Sequence, residues 1–289
     1  MSKEIQWFPG HMAKTRRMIT ENLRDVDIVI EIRDARIPMS SANPEVARLT
    51  AGKPRVILLN KCNLSKTELN NVWKRHFDKE DVCCVLCDCK TGFGLDRIRP
   101  AMKELLADKI ARWEEKGMLG RRIRVMVLGI PNVGKSTLIN RLTKSSSAKA
   151  ENRPGVTRDK QWVSASDGID LLDMPGVLWP KFDNRFIAEN LAFTGTIKQD
   201  ILDNDFLACR LCERLYSLDK SILTERYGIT FNDEEEITGY DILLKIGKKR
   251  GFLISGGEIN EERTALTLLE EFRNGKMGQV TLETPENFK

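Results

Sequence analysis

Gly129-Ile130-Pro131-Asn132-Val133-Gly134-Lys135-Ser136 stands directly after the apolar run Val125-Met126-Val127-Leu128 and directly before Thr137-Leu138-Ile139-Asn140-Arg141-Leu142. The spacing is that of a phosphate loop, G-x-x-x-x-G-K-[ST], in the strand–loop–helix setting that such a loop requires. Its glycines let backbone N–H groups turn inward around an anion, and the helix N-terminus adds partial positive charge. Lys135 is placed to reach the β- and γ-phosphates of a nucleotide, and the Ser136 hydroxyl to hold Mg²⁺. Val133, Gly134 and Thr137 complete the cradle. This element restricts the chain to an α/β fold, because such a loop sits at the C-terminal end of a buried parallel strand.

The preceding sequence supplies the rest of that sheet. Val26–Ile32, Val56–Leu59 and Val82–Cys87 are short, β-branched apolar runs, separated by helical patterns around 65–77 and 94–115. The alternation predicts a mostly parallel sheet with helices on both faces. A helical pattern with Lys14, Arg16, Arg17 and Arg24 along it precedes the first run. From Lys109 to Arg124 the chain is basic, and Gly117 and Gly120 mark a connection there. Beyond about residue 205 helical spacing takes over, with Ile242, Leu243, Ile246 and Leu266, Leu269, Phe272 as the apolar stripes. The expected division is 1–195 for the α/β domain and 196–289 for a small all-helical one.

Leu171-Leu172-Asp173-Met174-Pro175-Gly176 reads as a strand ending in D-x-x-G. Asp173 there would orient a Mg²⁺-bound water and the Gly176 N–H would meet the γ-phosphate. Between the two motifs, Pro154-Gly155-Val156-Thr157 offers a loop threonine for the Mg²⁺ shell. Asn60-Lys61-Cys62-Asn63 resembles the base-reading N-K-x-D element of GTPases, and Asp88-Cys89-Lys90 resembles their S-A-K loop. Those elements ordinarily follow the phosphate loop. Here they precede it, so the order predicts a circular permutation, rejoined through the basic segment 109–124.

On these motifs, together with Phe8-Pro9-Gly10-His11-Met12-Ala13-Lys14, Asp173–Pro180 and Lys249-Arg250-Gly251-Phe252 through Gly256-Gly257, the chain resembles the circularly permuted GTPases of ribosome assembly over nearly its whole length. The resemblance implies a cytoplasmic GTP hydrolase that acts as a nucleotide-dependent switch in maturation of the large ribosomal subunit. It also implies stimulation by that subunit and a helical domain that contacts ribosomal RNA. The clusters Lys245, Lys248, Lys249, Arg250 and Lys14, Arg16, Arg17 are compatible with phosphate neutralisation. The alternative of a different class is a nucleotide-gated RNA-binding module with negligible turnover.

Two departures bear on chemistry. Asn63 stands where the family pattern has aspartate, which weakens the case for tight guanine binding. Asp88 and Cys89 replace a Ser-Ala pair, a smaller change because the contact there is mainly through backbone N–H. Val177 follows D-x-x-G and cannot orient water, so His11, one of two histidines, is the candidate catalytic group. Asn132 resembles the residue that holds K⁺ beside the phosphates in related GTPases.

Composition excludes other classes. With 41% hydrophobic and 31% charged residues the chain can bury a core. No apolar run approaches the roughly 18 residues of a membrane span. Seven cysteines, an odd number, argue against a secreted disulfide framework, and their placement reads as buried thiols rather than a zinc site. A soluble, intracellular monomer without membrane attachment is expected.

Overall fold

The computed structural model describes residues 10–144, 162–165, 168–174, 176, 184–197, 203–232 and 236–288. The chain divides into two compact units, Met1–Lys181 with Glu283–Lys289, and Phe182–Leu282.

The first unit is built on six strands: β1 (Ile28–Asp34), β2 (Arg55–Asn60), β3 (Val82–Leu86), β4 (Ile123–Gly129), β5 (Trp162–Ala165) and β6 (Ile169–Asp173). They lie in the order β3-β2-β1-β4-β6-β5. Five run parallel, and β5 is an antiparallel edge hairpinned to β6. The sequence pattern predicts no strand at β5. A four-residue edge strand with one face open carries too few apolar positions to show periodicity.

Both faces of the sheet are buried, so its strands read as continuous apolar runs rather than alternating ones. Val29, Met126, Leu128 and Leu172 share one face with Ile19 of helix α1 (Gly10–Asn22) and Val46 of helix α2 (Pro44–Leu49). Further along, Ile57, Leu59 and Cys84 pack on Trp73 and Phe77 of α3 (Thr67–Phe77). Ile30, Ile32, Leu58, Val127 and Leu171 fill the other side and are inaccessible. There α4 (Ile98–Leu105) packs on β2 and β3, and α6 (Lys135–Lys144) on β4 and β5.

From edge strand β3 the chain returns through α4 and α5 (Ala107–Glu115) to β4, passing over β2 and β1. This is the join that the permutation requires. Its basic residues are anchored on the sheet. Buried Asp27 accepts the Arg124 N–H at 2.9 Å and pairs with Lys109 at 2.7 Å, and Arg122 pairs with Asp170 at 2.7 Å. Lys109 and Arg121 also flank the Trp113 ring.

Helices alone make up the described elements of the second unit: α7 (Arg185–Phe193), α8 (Asn204–Asp219), α9 (Ser221–Tyr227), α10 (Gly239–Arg250) and α11 (Glu261–Arg273). The boundary expected at 195/196 falls inside this unit. Arg273 explains why: it donates to the Ala192 and Phe193 carbonyls and so ties α7 to α11. The buried stripe of α11 is Ala265, Leu268, Leu269 and Phe272, whereas Leu266 is turned outward. Residues 283–289 leave the helical unit and belong to the sheet unit, a return that no local pattern announces.

Candidate functional site

Parallel pairing puts the C-terminal ends of β1, β2, β3, β4 and β6 on one edge of the sheet. The strand order departs in opposite directions from the neighbours β1 and β4, and the crevice between such strands is where α/β sheets bind ligands. The phosphate loop leaves β4 at that point. Within it Gly134 has φ +106°, a region favouring glycine, and an added Cβ would lie 2.3 Å from Asn60 Nδ2. Only glycine lets the loop and Asn60 meet.

Asn60, the last residue of β2, holds two loops at once. Its Nδ2 donates to the Val133 carbonyl at 2.6 Å, and its Oδ1 accepts the Cys89 N–H at 2.8 Å. That N–H therefore serves the site through Asn60. Lys61 follows in the left-handed region at φ 61° and begins the turn Cys62–Leu64. Its Nζ donates to the Asn132 carbonyl at 3.1 Å and to Asp34 Oδ2 at 2.8 Å. Asn63 is exposed on this turn. Asn70 on α3 donates to the Cys62 carbonyl at 3.0 Å and accepts from the Ser65 hydroxyl at 2.6 Å, which fixes the turn from behind.

On the other side of the loop, Lys135 Nζ lies 2.5 Å from Asp173 Oδ1 at the end of β6. Gly176 approaches so closely that an added Cβ would stand 3.2 Å from Pro131 N. Ser136 and Thr137 are exposed in the first turn of α6. Asp88 shapes its own turn, accepting from the Lys90 N–H at 2.9 Å and the Thr91 hydroxyl at 2.8 Å. The structure thus gathers Asn60, Lys61, Cys89, Asn132, Val133, Gly134, Lys135, Asp173 and Gly176, while Cys62 and Asp88 support them from within. His11 falls in the first turn of α1, with its side chain outside the described residues, and Thr157 lies outside them altogether.

Sequence reading missed Asp34 and Arg36. The apolar run ends at Ile32, whereas β1 continues to Asp34 and places that carboxylate at the functional edge. The charged pair Arg33-Asp34 directly after an apolar run was the available signal. Burial is the largest influence on Asp34 and would raise its pKa. The charges and hydrogen bonds of Arg36 and Lys61 together outweigh it and hold the carboxyl well below the usual range.

All seven cysteines are free, and among the described residues no group of three or more His, Cys, Asp or Glu could hold an ion. Cys87 and Cys89 lie beyond β3 in the following turn rather than within the strand. Burial pushes the Cys84 thiol up to about 12, and burial with the Asp88 charge pushes Cys62 up to about 11.

Of the basic clusters, Arg16 pairs with Glu45 and Arg17 with Glu21, the Lys14 side chain lies outside the described residues, and Arg250 pairs with Glu271. Lys248 and Lys249 are exposed at the end of α10. Among the described residues no helix is long and apolar enough to cross a membrane.

A phosphate loop opening a helix, an Asn-Lys reader brought to it from an earlier strand, and a D-x-x-G glycine against its proline define a phosphate-loop GTPase of circularly permuted order. Comparison with known proteins agrees. A family model described as "50S ribosome-binding GTPase" matches residues 124–235. Ribosome biogenesis GTPase A of Bacillus licheniformis is 44% identical over 98% of this chain and 99% of its own. GDP-bound TM YlqF superposes with a TM-score of 0.66 at 27% identity, covering 93% of this chain and all of that one. GNP-bound YlqF from T. maritima gives 0.61 at 26% identity, over 94% and 99%. The chain belongs to the ribosome biogenesis GTPase A family. It binds and hydrolyses GTP, and its role is in ribosome biogenesis.

Proposed function

We propose that GTP hydrolysis here times a step in maturation of the large ribosomal subunit, with the helical unit binding ribosomal RNA and the subunit stimulating turnover. The observation that carries this reading is the extent of the similarity, which spans the helical unit as well as the sheet unit. The exposed Lys248 and Lys249 suit phosphate contacts. The protein works as a cytoplasmic monomer without membrane attachment.

The donor set fits a hard cation: Ser136 and Asp173 present oxygen at the mouth of the loop, beside Lys135. Ser136 and Thr157 would hold Mg²⁺ with Asp173 in its outer shell, and Asn132 would hold K⁺. Bound there, these ions would neutralise charge on the phosphate oxygens. Lys135 binds the same oxygens, and His11 orients the attacking water. Differential contacts of Thr157 and Gly176 with the γ-phosphate would give the subunit a preference for one nucleotide state.

Steady-state hydrolysis with and without purified large subunits tests the reading. Turnover should rise several-fold with subunits, and should be faster in K⁺ than in Na⁺ at matched ionic strength. Subunit binding without stimulated turnover would instead make the protein a nucleotide-gated RNA-binding module.

A further inference from the structure

At Glu283 the chain re-enters the sheet unit. The Glu283 carboxylate is buried and takes several donors from one turn. These are the Met39 N–H, the Ser40 N–H at 3.1 and 3.3 Å to its two oxygens, and the Ser40 hydroxyl at 2.6 Å. Its backbone carbonyl accepts the Trp73 indole N–H at 3.2 Å, and Phe288 meets the Trp73 ring edge-on with centroids 6.4 Å apart.

The turn that Glu283 grips is the one that sets Asp34. The Ser41 hydroxyl, adjacent to Ser40, accepts the Asp34 N–H at 3.0 Å and donates to the Ile37 carbonyl at 2.6 Å. Ile37 N–H returns to the Asp34 carbonyl at 2.9 Å. The Asp34 carboxylate then binds Arg36 through Nε at 3.0 Å and Nη2 at 2.8 Å, and Lys61 Nζ at 2.8 Å. Lys61 finally reaches the phosphate loop at the Asn132 carbonyl. Hydrogen bonds joined through the backbone at Ser40–Ser41 and through Asp34 itself therefore run within one compact unit from the returning segment to the nucleotide edge.

We propose that Glu283 and Asp34 are positioning residues for nucleotide binding: the C-terminal segment clamps the 37–41 turn, the turn sets Asp34, and Asp34 sets Lys61 against the phosphate loop. A lysine has a long, rotamer-rich side chain, and ordering it only when nucleotide arrives would subtract from affinity. The Asp34 carboxylate orders it beforehand. Loosening the 283–288 segment then weakens nucleotide binding from a distance, without touching the nucleotide. The proposal rests on reading Lys61 as a base-side nucleotide contact.

The test is a double-mutant cycle on the full chain, with affinity for a fluorescent GDP analogue and the thermal midpoint both measured. Lys61→Ala should weaken GDP binding by about tenfold or more, and Glu283→Gln by about fivefold. In the Lys61→Ala background Glu283→Gln should cause no further loss of affinity, while lowering the thermal midpoint as much as it does alone. Ser40→Ala, which removes only the hydroxyl donor, enters the same cycle and replaces Glu283→Gln if that variant does not fold. Equal affinity losses from the clamp variant in both backgrounds would reduce the segment to a structural tie and overturn the proposal. So would unchanged GDP affinity in the clamp variant while Lys61→Ala binds weakly. Unchanged affinity in Lys61→Ala itself would remove Lys61 from the site, and the proposal would fall with that reading.

Discussion

Asn60 Nδ2 donates a 2.6 Å hydrogen bond to the carbonyl of Val133, which lies 73 residues further along the chain. One buried amide thereby joins the base-reading strand to the phosphate loop, and its oxygen holds the Cys89 turn as well. Asn60→Ala leaves both backbone groups without this partner, a cost of about 1–3 kcal/mol. GDP affinity should fall at least about tenfold with it. Urea unfolding and GDP titration of the same variant check both.

Gly134 lets that bond form. Alanine there would meet Asn60 Nδ2 at 2.3 Å and would adopt φ +106°, a backbone strain of about 1–3 kcal/mol. Gly134→Ala should lose nucleotide binding while keeping its far-UV circular dichroism. Wild-type GDP affinity in that variant would show that the loop has another way to accommodate the side chain.

Asn63 is the residue expected to set the strength of base reading. An aspartate would accept charge-assisted hydrogen bonds from guanine, whereas asparagine has one carbonyl acceptor and turns its NH₂ toward a guanine donor. Asn63→Asp should tighten GDP binding at least about tenfold and weaken XDP binding. The residue is exposed on its turn, so the change should leave folding intact. Similar GDP affinities for the two proteins would show that residue 63 does not read the base.

With Val177 after D-x-x-G, water must be organised by another group. His11→Ala should lower subunit-stimulated turnover by roughly 10²–10⁴-fold, the usual worth of a positioned acid or base. Nucleotide affinity should change little. Full turnover in the variant would take His11 out of the mechanism.

Cys62 sits beside Lys61, yet its thiol is held protonated. With a pKa pushed up to about 11, on the order of one molecule in a thousand carries the thiolate at pH 8. Cys83, Cys84 and Cys209 are raised as well, each chiefly by burial. Ellman's reagent should react slowly with the native protein at pH 8, and seven thiols should react after unfolding in guanidinium. Rapid labelling of Cys62 would show that the turn opens in solution.

The phosphate loop, the D-x-x-G strand end and the inverted order of the base-reading elements were legible in the sequence because each depends on neighbours close along the chain. Gly129 to Ser136 is a loop whose backbone conformation and chemistry are local, and buried parallel strands announce themselves as continuous apolar runs. Edge strand β5 and helix α2 are too short to carry a period. The boundary at Phe182 was hidden because α7 reveals its partner only through Arg273 of α11.

What the sequence by itself determined is the class of chemistry and the cyclic order in which the sheet is assembled. Only the tertiary structure decided how those residues are held. Asp34 reads locally as one more charge after a strand, and Glu283 as one of many near a chain end. Their roles arise because a carboxylate cannot be buried without donors, and here the donors come from segments far apart in sequence. Hydrogen-bond partners separated by 243 residues, as Ser40 and Glu283 are, leave no trace in periodicity or spacing. Folding is what brings them within reach of each other.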